Sequence, residues 1–361
     1  RQALNQPGFI VIIMFNKVIY TIVIAIFIFI VIGLFLPSNV SVERSILINR
    51  PASTVFVLLN SFRTFRAWSP LAMRDPDAEY VFSGPATGVG ARLDWRGDPR
   101  QVGNGWQEII ESAPFKRISM QLDFENQGRA VSYFNIEDRP ADVLLTWGFE
   151  ADLVEGHGFF GSLLARYFGL FFDQWIGTDY EQGLANLKAY AESLPATDFA
   201  GLDAEILRVE PVDILYIPTG DRPVEGDVGA SLAAAYQEIS TIMQENSIEM
   251  LSAPIAITRS WDAHNYQIDA AIPVISADIP LNGNVRAGRS PSGTAVRVVH
   301  KGPYENMGSS YEQLSAYMAV NGLEEGRVSW EQYISDPAQT PPSELITHIY
   351  FLIGEEPAGQ P

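Results

Sequence analysis

The sequence predicts an α+β protein in three parts: an N-terminal transmembrane helix, an antiparallel sheet closed over one long helix, and a second domain built from a duplicated βαββ unit. Three observations carry this. Val18 to Leu36 is an uninterrupted apolar run of 19 residues, close to the roughly 20 that a bilayer core requires. Segments such as "ISMQLDFE" and "VLLTWGFEA" alternate apolar and polar residues with period two, the mark of an antiparallel sheet covered on one face. Beyond residue 205, a strand, helix and hairpin recur twice.

Residues 1–37 form the tail and anchor. Residues 1–13 precede Met14, and "MFNKVIY" reads as the natural opening of a signal anchor. "GLFLPSNV" offers no A-x-A-like cleavage site, so an uncleaved anchor is expected. Arg1 and Lys17 before the span nearly balance Arg44 and Arg50 after it, which leaves the positive-inside count almost tied. The short tail and large C-terminal body instead predict a single-pass inner-membrane protein with the body exported to the periplasm.

With 361 residues, 47% of them hydrophobic, the chain is long enough for two ordinary cores. The body beyond the span carries 22 of the 24 Lys and Arg and all 43 Asp and Glu, a formal charge of −21. Nucleic acid and anionic lipid surfaces are therefore poor partners, and cationic ligands are favoured. The absence of cysteine excludes disulfides, thiolate metal sites and Cys nucleophiles.

The first domain is placed at residues 42–195. "VERSILIN" reads as a strand; "RPASTVFVLLN" reads as a helix, with Pro51 and Ser53 suited to its start and Val55, Leu58 and Leu59 on its apolar face. Ile118, Met120, Leu122 and Phe124 share one face of a later strand, and Val143, Leu145, Trp147 and Phe149 repeat the arrangement. A helix from about Phe159 to Glu192, with Leu164, Phe168, Phe171 and Trp175 at helical spacing, is expected to cover the sheet. The glycines of "SGPATGVGA" precede a strand rather than a helix, so the segment is a hairpin turn and not a phosphate loop. His157, in a Gly-rich approach to the helix, suits a loop or cap.

"FRAWSPLAMRDP", "GVGARLDWRG", "GNGWQEIIESAPFKRISMQLDF", "VLLTWGFEAD" and the helix ending "GLANLKAYAE" together resemble the helix-grip fold of the START-like, polyketide-cyclase-type (SRPBCC) superfamily. The resemblance implies a sheet wrapped around the long helix, leaving an apolar cavity for hydrophobic small molecules. Trp68, Trp95, Trp106, Tyr133 and Trp147 are the aromatic residues expected near it, with simple core packing as the alternative for each.

A linker at residues 196–204 leads to the second domain, residues 205–354, followed by a tail at 355–361. Its first half runs "EILRVEPVDILYIPTG", a helix around "GASLAAAYQEISTIMQEN", then "IAITRSW" paired with "YQIDAAIPV". Its second half runs "TAVRVVHKG", a helix around "YENMGSSYEQLSAYMAVNG", then "VSWEQYI" paired with "ELITHIYFLI". The set "H-x-G-P-Y", helix, "E-x-Y", "D-P" and "T-P-P-x-E-L" resembles the gyrase-inhibitor-like (GyrI-like) effector-binding domain. Such domains are similar to the sensing halves of multidrug-responsive activators, and some free-standing relatives hydrolyse reactive small molecules. With no helix-turn-helix segment in the sequence, a DNA-binding regulator is not expected.

The resemblance places Glu331 in the groove between the repeats. Alternation puts Ser329, Glu331 and Tyr333 on one strand face. An acid among aromatic rings suits a lipophilic cation through charge pairing and cation–π attraction; desolvation would alternatively make it a general base toward water. A solvated glutamate on an outer strand face is the bland alternative. Tyr216, Trp261 and Tyr304 are further candidates for the groove wall, although Tyr304 can equally pack the start of its helix. His300 and His348 lack companions at metal-ligand spacing, and no G-x-S-x-G elbow occurs. No metal or cofactor is expected. The expectation is a membrane-anchored binder of hydrophobic, cationic small molecules; the alternatives are a hydrolase using Glu331 and a non-catalytic envelope scaffold.

Overall fold

The computed structural model describes residues 7–125, 128–218, 222–223, 228–261, 265–277 and 283–354. The chain divides between Ser193 and Leu194 into two compact units.

The first unit begins with α1 (Pro7–Phe35), whose stretch Lys17–Phe35 has the length and composition of a membrane span or signal sequence. There follow β1 (Asn39–Ile48), α2 (Ala52–Leu59), the short helices α3 (Phe65–Trp68) and α4 (Pro70–Arg74), and β2 (Glu79–Ser83). Then come β3 (Arg92–Arg96), β4 (Asn104–Ala113), β5 (Arg117–Phe124), β6 (Gly128–Asp138), β7 (Val143–Asp152), α5 (Phe159–Gly169) and α6 (Phe172–Ser193). The seven strands form one antiparallel sheet in the order β1-β7-β6-β5-β4-β3-β2. Pairing of the first strand with the last curls the sheet round α6, which presents Tyr180, Leu184, Leu187 and Ala191 inward at helical spacing. Arg44 on β1 grips the outer side of α6 through Asp173 (3.0 Å) and Glu181 (2.7 Å). "SGPATGVGA" is the turn of the β2–β3 hairpin, where Gly84, Gly88 and Gly90 adopt positive φ.

The covering helix departs from expectation. It is broken into α5 and α6, because Leu170 and Phe171 close their bonds three residues back, on Tyr167 (3.3 Å) and Phe168 (3.0 Å), and the tightened turn ends α5. The stripe Leu164, Phe168, Phe171 and Trp175 is not core: each side chain is at least half exposed, and the buried positions are Leu163 and the inner face of α6.

The second unit contains β8 (Ala204–Val209), β9 (Asp213–Pro218), β10 (Arg222–Pro223), α7 (Val228–Glu245), β11 (Ile255–Trp261) and β12 (Asn265–Pro273). It continues with β13 (Arg286–Arg289), β14 (Gly293–Lys301), α8 (Met307–Val320), β15 (Glu325–Tyr333) and β16 (Ile346–Ile353). The sheet order is β13-β9-β12-β11-β15-β16-β14-β8, with β10 beside β12. Both expected hairpin pairings, β11 with β12 and β15 with β16, are present. β11 and β15 join the halves antiparallel, Ala256 opposite Glu331. Alternation sorts the side chains. Leu215, Ala256, Ala270 and Ile272 pack under α7, and Val296, Val298 and Ile349 under α8. Their neighbours Ile214, Ile255, Ile257, Trp330 and Tyr350 form a separate cluster on the opposite face.

Candidate ligand-binding sites

In the second unit, Glu331 sits on the helix-bearing face of β15, at the seam between the halves. It is half-buried, and both carboxylate oxygens are held. The Tyr311 hydroxyl, from α8, donates to Oε1 at 2.6 Å; the Tyr333 hydroxyl, two residues along the strand, donates to Oε2 at 2.6 Å. These are short, charge-assisted bonds. Tyr333 meets Tyr304 edge to face at 5.5 Å and Tyr236 of α7 at 6.3 Å. Tyr236 is fixed in turn by its bond to the Ile255 carbonyl, 2.8 Å. Burial, and next the negative charge of Glu331, push the phenols of Tyr236, Tyr304, Tyr311 and Tyr333 above the usual tyrosine range. The four phenols around Glu331 therefore stay neutral. Among the described residues no Lys, Arg or His forms an ion pair with that carboxylate.

Of the residues singled out from sequence, Glu331, Tyr333 and Tyr304 come together, with Tyr304 at the rim, 37% exposed. Tyr216 does not join them. It alternates with Leu215 and Ile217, so it falls on the opposite face, packed with the cluster of Ile214 and Trp330. Trp261 ends β11, and its side chain lies outside the described residues. Tyr236 and Tyr311 were missed. They lie in similar strings, "AYQEI" in α7 and "SYEQL" in α8, and that likeness was the available signal. His300 is buried and bonded to Ser310 (2.9 Å) and the Pro303 carbonyl (3.3 Å), which braces the turn entering α8.

The first unit encloses an open cavity of about 1490 Å³ between the sheet and α5–α6. Phe62, Phe65, Met120, Leu122, Phe134 and Phe149 are among its apolar lining, with Trp68 and Trp147. Its central polar group is self-satisfied. Trp147 Nε1–H donates to Ser132 Oγ (2.8 Å), Ser132 bonds the Gly148 carbonyl (3.1 Å) and Tyr180 (3.2 Å), and Tyr180 stacks on Trp147 at 3.9 Å. Burial raises the Tyr180 phenol, which stays neutral. These hydroxyls are paired internally, whereas the Trp68 indole nitrogen and the Gln107 amide nitrogen, on the same lining, are buried without a hydrogen-bond partner among the described residues.

Three of the aromatic residues expected at this cavity are elsewhere. Trp106 and Tyr133 face outward, because the pleat gives the inward positions to Gln107 and to Ser132 and Phe134. Trp106 lies under Arg92 (4.1 Å), and Tyr133 lies under Arg117 (4.3 Å) with its hydroxyl on Glu43 (2.5 Å). Trp95 is buried but stands behind the lining, against Phe124. Tyr180 was the unforeseen contributor; its spacing with Leu184 and Leu187 was the available signal. Among the described residues no group of three or more His, Asp or Glu is placed to hold a metal ion.

Fold and sites together define a two-module protein with one candidate ligand site in each unit. Residues 39–192 match the family model "Polyketide cyclase / dehydrase and lipid transport", and residues 203–353 match "GyrI-like small molecule binding domain". The chain thus carries a polyketide-cyclase-type (SRPBCC) domain followed by a GyrI-like domain. Comparison with curated proteins yields no match. Among solved structures, the chain is similar to the EcmrR–DNA complex (18% identity, 53% of this chain and 71% of that one, TM-score 0.39). It is also similar to a hydrolase from Listeria innocua (16%, 42% and 91%, TM-score 0.33). A third match is the Aha1 dimer from Colwellia psychrerythraea (16%, 42% and 96%, TM-score 0.30). Likenesses of this size speak to neither ligand nor chemistry.

Proposed function

We propose that this is a membrane-anchored, non-catalytic binder of hydrophobic small molecules, taking an apolar ligand in the first unit and a lipophilic cation at Glu331 in the second. The single observation behind the cation is the half-buried carboxylate ringed by neutral tyrosines and lacking a cationic partner among the described residues. A buried charge is costly without a partner, and a ligand cation supplies one while its substituents meet the rings. General-base chemistry is a weaker fit, since both oxygens of Glu331 already accept tyrosine hydroxyls. Supporting the anchor, the 19 residues Lys17–Phe35 carry the apolar composition of a span, and almost none of them is buried. The strand order β9-β12-β11-β15-β16-β14, with α7 and α8 on one face, supports reading the second unit as two βαββ copies.

Thermal-shift measurement of the full chain in detergent against lipophilic cations tests this. Saturable stabilisation that disappears in Glu331→Gln is the expected result. Turnover of a reactive compound, lost in the same variant, would establish the hydrolase instead. Protease added to intact spheroplasts is expected to digest the body; cleavage only after lysis would reverse the proposed orientation.

A further inference from the structure

The fifteen residues Gly158 to Phe172, "GFFGSLLARYFGLFF", contain a single charged side chain, Arg166, in a body of formal charge −21. That charge is turned away from solvent duty: the Arg166 guanidinium donates to the carbonyls of Leu34 (3.4 Å) and Leu36, at the end of α1. Tyr167 likewise faces α1, stacked on Phe29 at 4.2 Å with its hydroxyl on the Phe29 carbonyl at 2.7 Å. Gly33 permits the approach, because a Cβ there would run into Leu163 and Tyr167. What remains outward is a stripe of rings and leucines. Phe160, Leu164, Phe168, Phe171 and Trp175 are 50–75% exposed. Leu164 and Phe168 of α5 and Trp175 of α6 also line the open cavity and so are exposed in part to its mouth, whereas Phe159, Phe160, Leu170 and Phe171, each at least half exposed, stand outside its lining and make up the outer face.

We propose that α5 and the first turn of α6 lie in the head-group region of the bilayer that α1 crosses, and that the cavity loads an acyl-chain-bearing molecule directly from that leaflet. This rests on reading α1 as a membrane span. Depth supports it: Phe29 lies six residues before the helix end at Phe35, about 9 Å at 1.5 Å per residue, matching the ~5–10 Å immersion of interfacial helices. An apolar stripe of this size on a soluble surface normally marks a contact. The acidic body cannot adhere to anionic lipid by charge, so apolar insertion carries the contact, and it persists in zwitterionic lipid at high salt.

The chain contains no cysteine, so the single substitutions Ile26→Cys, Phe160→Cys and Val89→Cys each give one site for a fluorophore that reports water. The full chain is placed in phosphatidylcholine nanodiscs with lipids spin-labelled near the head group or deep in the chain. We expect deep quenching at position 26, shallow quenching at 160 and none at 89, which sits exposed in the β2–β3 turn. Quenching at 26 without quenching at 160 overturns the docking and spares the anchor. A blue-shifted but unquenched label at 160 also overturns it, since a second copy would then cover the stripe. No quenching at 26 removes the anchor itself. For loading, a phospholipid with a photoactivatable acyl chain is expected to cross-link peptides containing Met120 or Phe134. Phe160→Asp combined with Leu170→Asp, neither of which lines the cavity, lowers that yield about tenfold. An absent cross-link, or one untouched by the pair, overturns lateral loading.

Discussion

Replacing Glu331 by Gln removes one charge while keeping the shape and one acceptor for the tyrosine hydroxyls. A cation about 4.5 Å from the carboxylate gains about 3.7 kcal/mol at an effective dielectric of ~20. Glu331 is half-buried, so solvent screens part of this, and roughly 2–3.5 kcal/mol is the expected loss. That corresponds to about 30- to 300-fold in Kd. Ring contacts, worth roughly 0.5–2 kcal/mol, remain in the variant. Isothermal titration of the full chain in nanodiscs, with benzyltrimethylammonium and its uncharged tert-butyl isostere, separates the two contributions. The cation weakens by the stated factor in Glu331→Gln; the isostere does not move. Equal affinity of wild type and variant for the cation would refute the charge-pairing argument, and equal loss for both ligands would show that the substitution had only damaged the groove.

Further outcomes follow from the same geometry. Tyr311→Phe and Tyr333→Phe each delete a hydrogen bond to a charged acceptor, 2.6 Å in both cases, and each costs roughly 1.5–3 kcal/mol in chemical denaturation. The costs shrink in the Glu331→Gln background, and a double-mutant cycle measures the coupling. The phenol of Tyr133 is pushed up to about 12, by burial first and by Glu43 next. Its ionisation is therefore harder in the folded chain than in the unfolded one. The associated stability is intact below about pH 10, the unfolded value, and is lost as pH climbs to about 12. Several phenols titrate late, so the readout is a difference: the tyrosinate absorbance of Tyr133→Phe lacks one component that rises towards pH 12 in the wild type, and Glu43→Gln moves that component earlier. Gly148→Ala drives a methyl into the Tyr133 ring, which Glu43 and Arg117 pin in place. The expected cost is roughly 1–3 kcal/mol, read as a melting temperature lower by several degrees.

The strands were legible in the sequence because period two survives where one face is buried, as in β5 and β7. The same rule, followed in phase, would have turned Trp106 and Tyr133 outward. Their neighbours Gln107, Ser132 and Phe134 line the cavity instead. Glu331 stood out as an acid among rings, yet its two hydroxyl donors could not both be read locally: Tyr311 reaches it from a helix 20 residues earlier. Tyr216 was misplaced by the same parity, one residue from the helix-bearing face. The break between α5 and α6 has no proline to announce it; it arises from the tight closure at Leu170 and Phe171. The apolar stripe there mimics a core face because helical spacing reports that residues share a side, not what covers that side.

The brace that Arg166 and Tyr167 make to the last turns of α1 has a mechanical consequence. A leash would merely keep the body nearby, whereas this joint transmits torque, so tilting or rotating the first helix drags one wall of the chamber with it. Grafting on a foreign leader with a bulky residue in place of Gly33 would still tether the protein, but it would pry that wall loose.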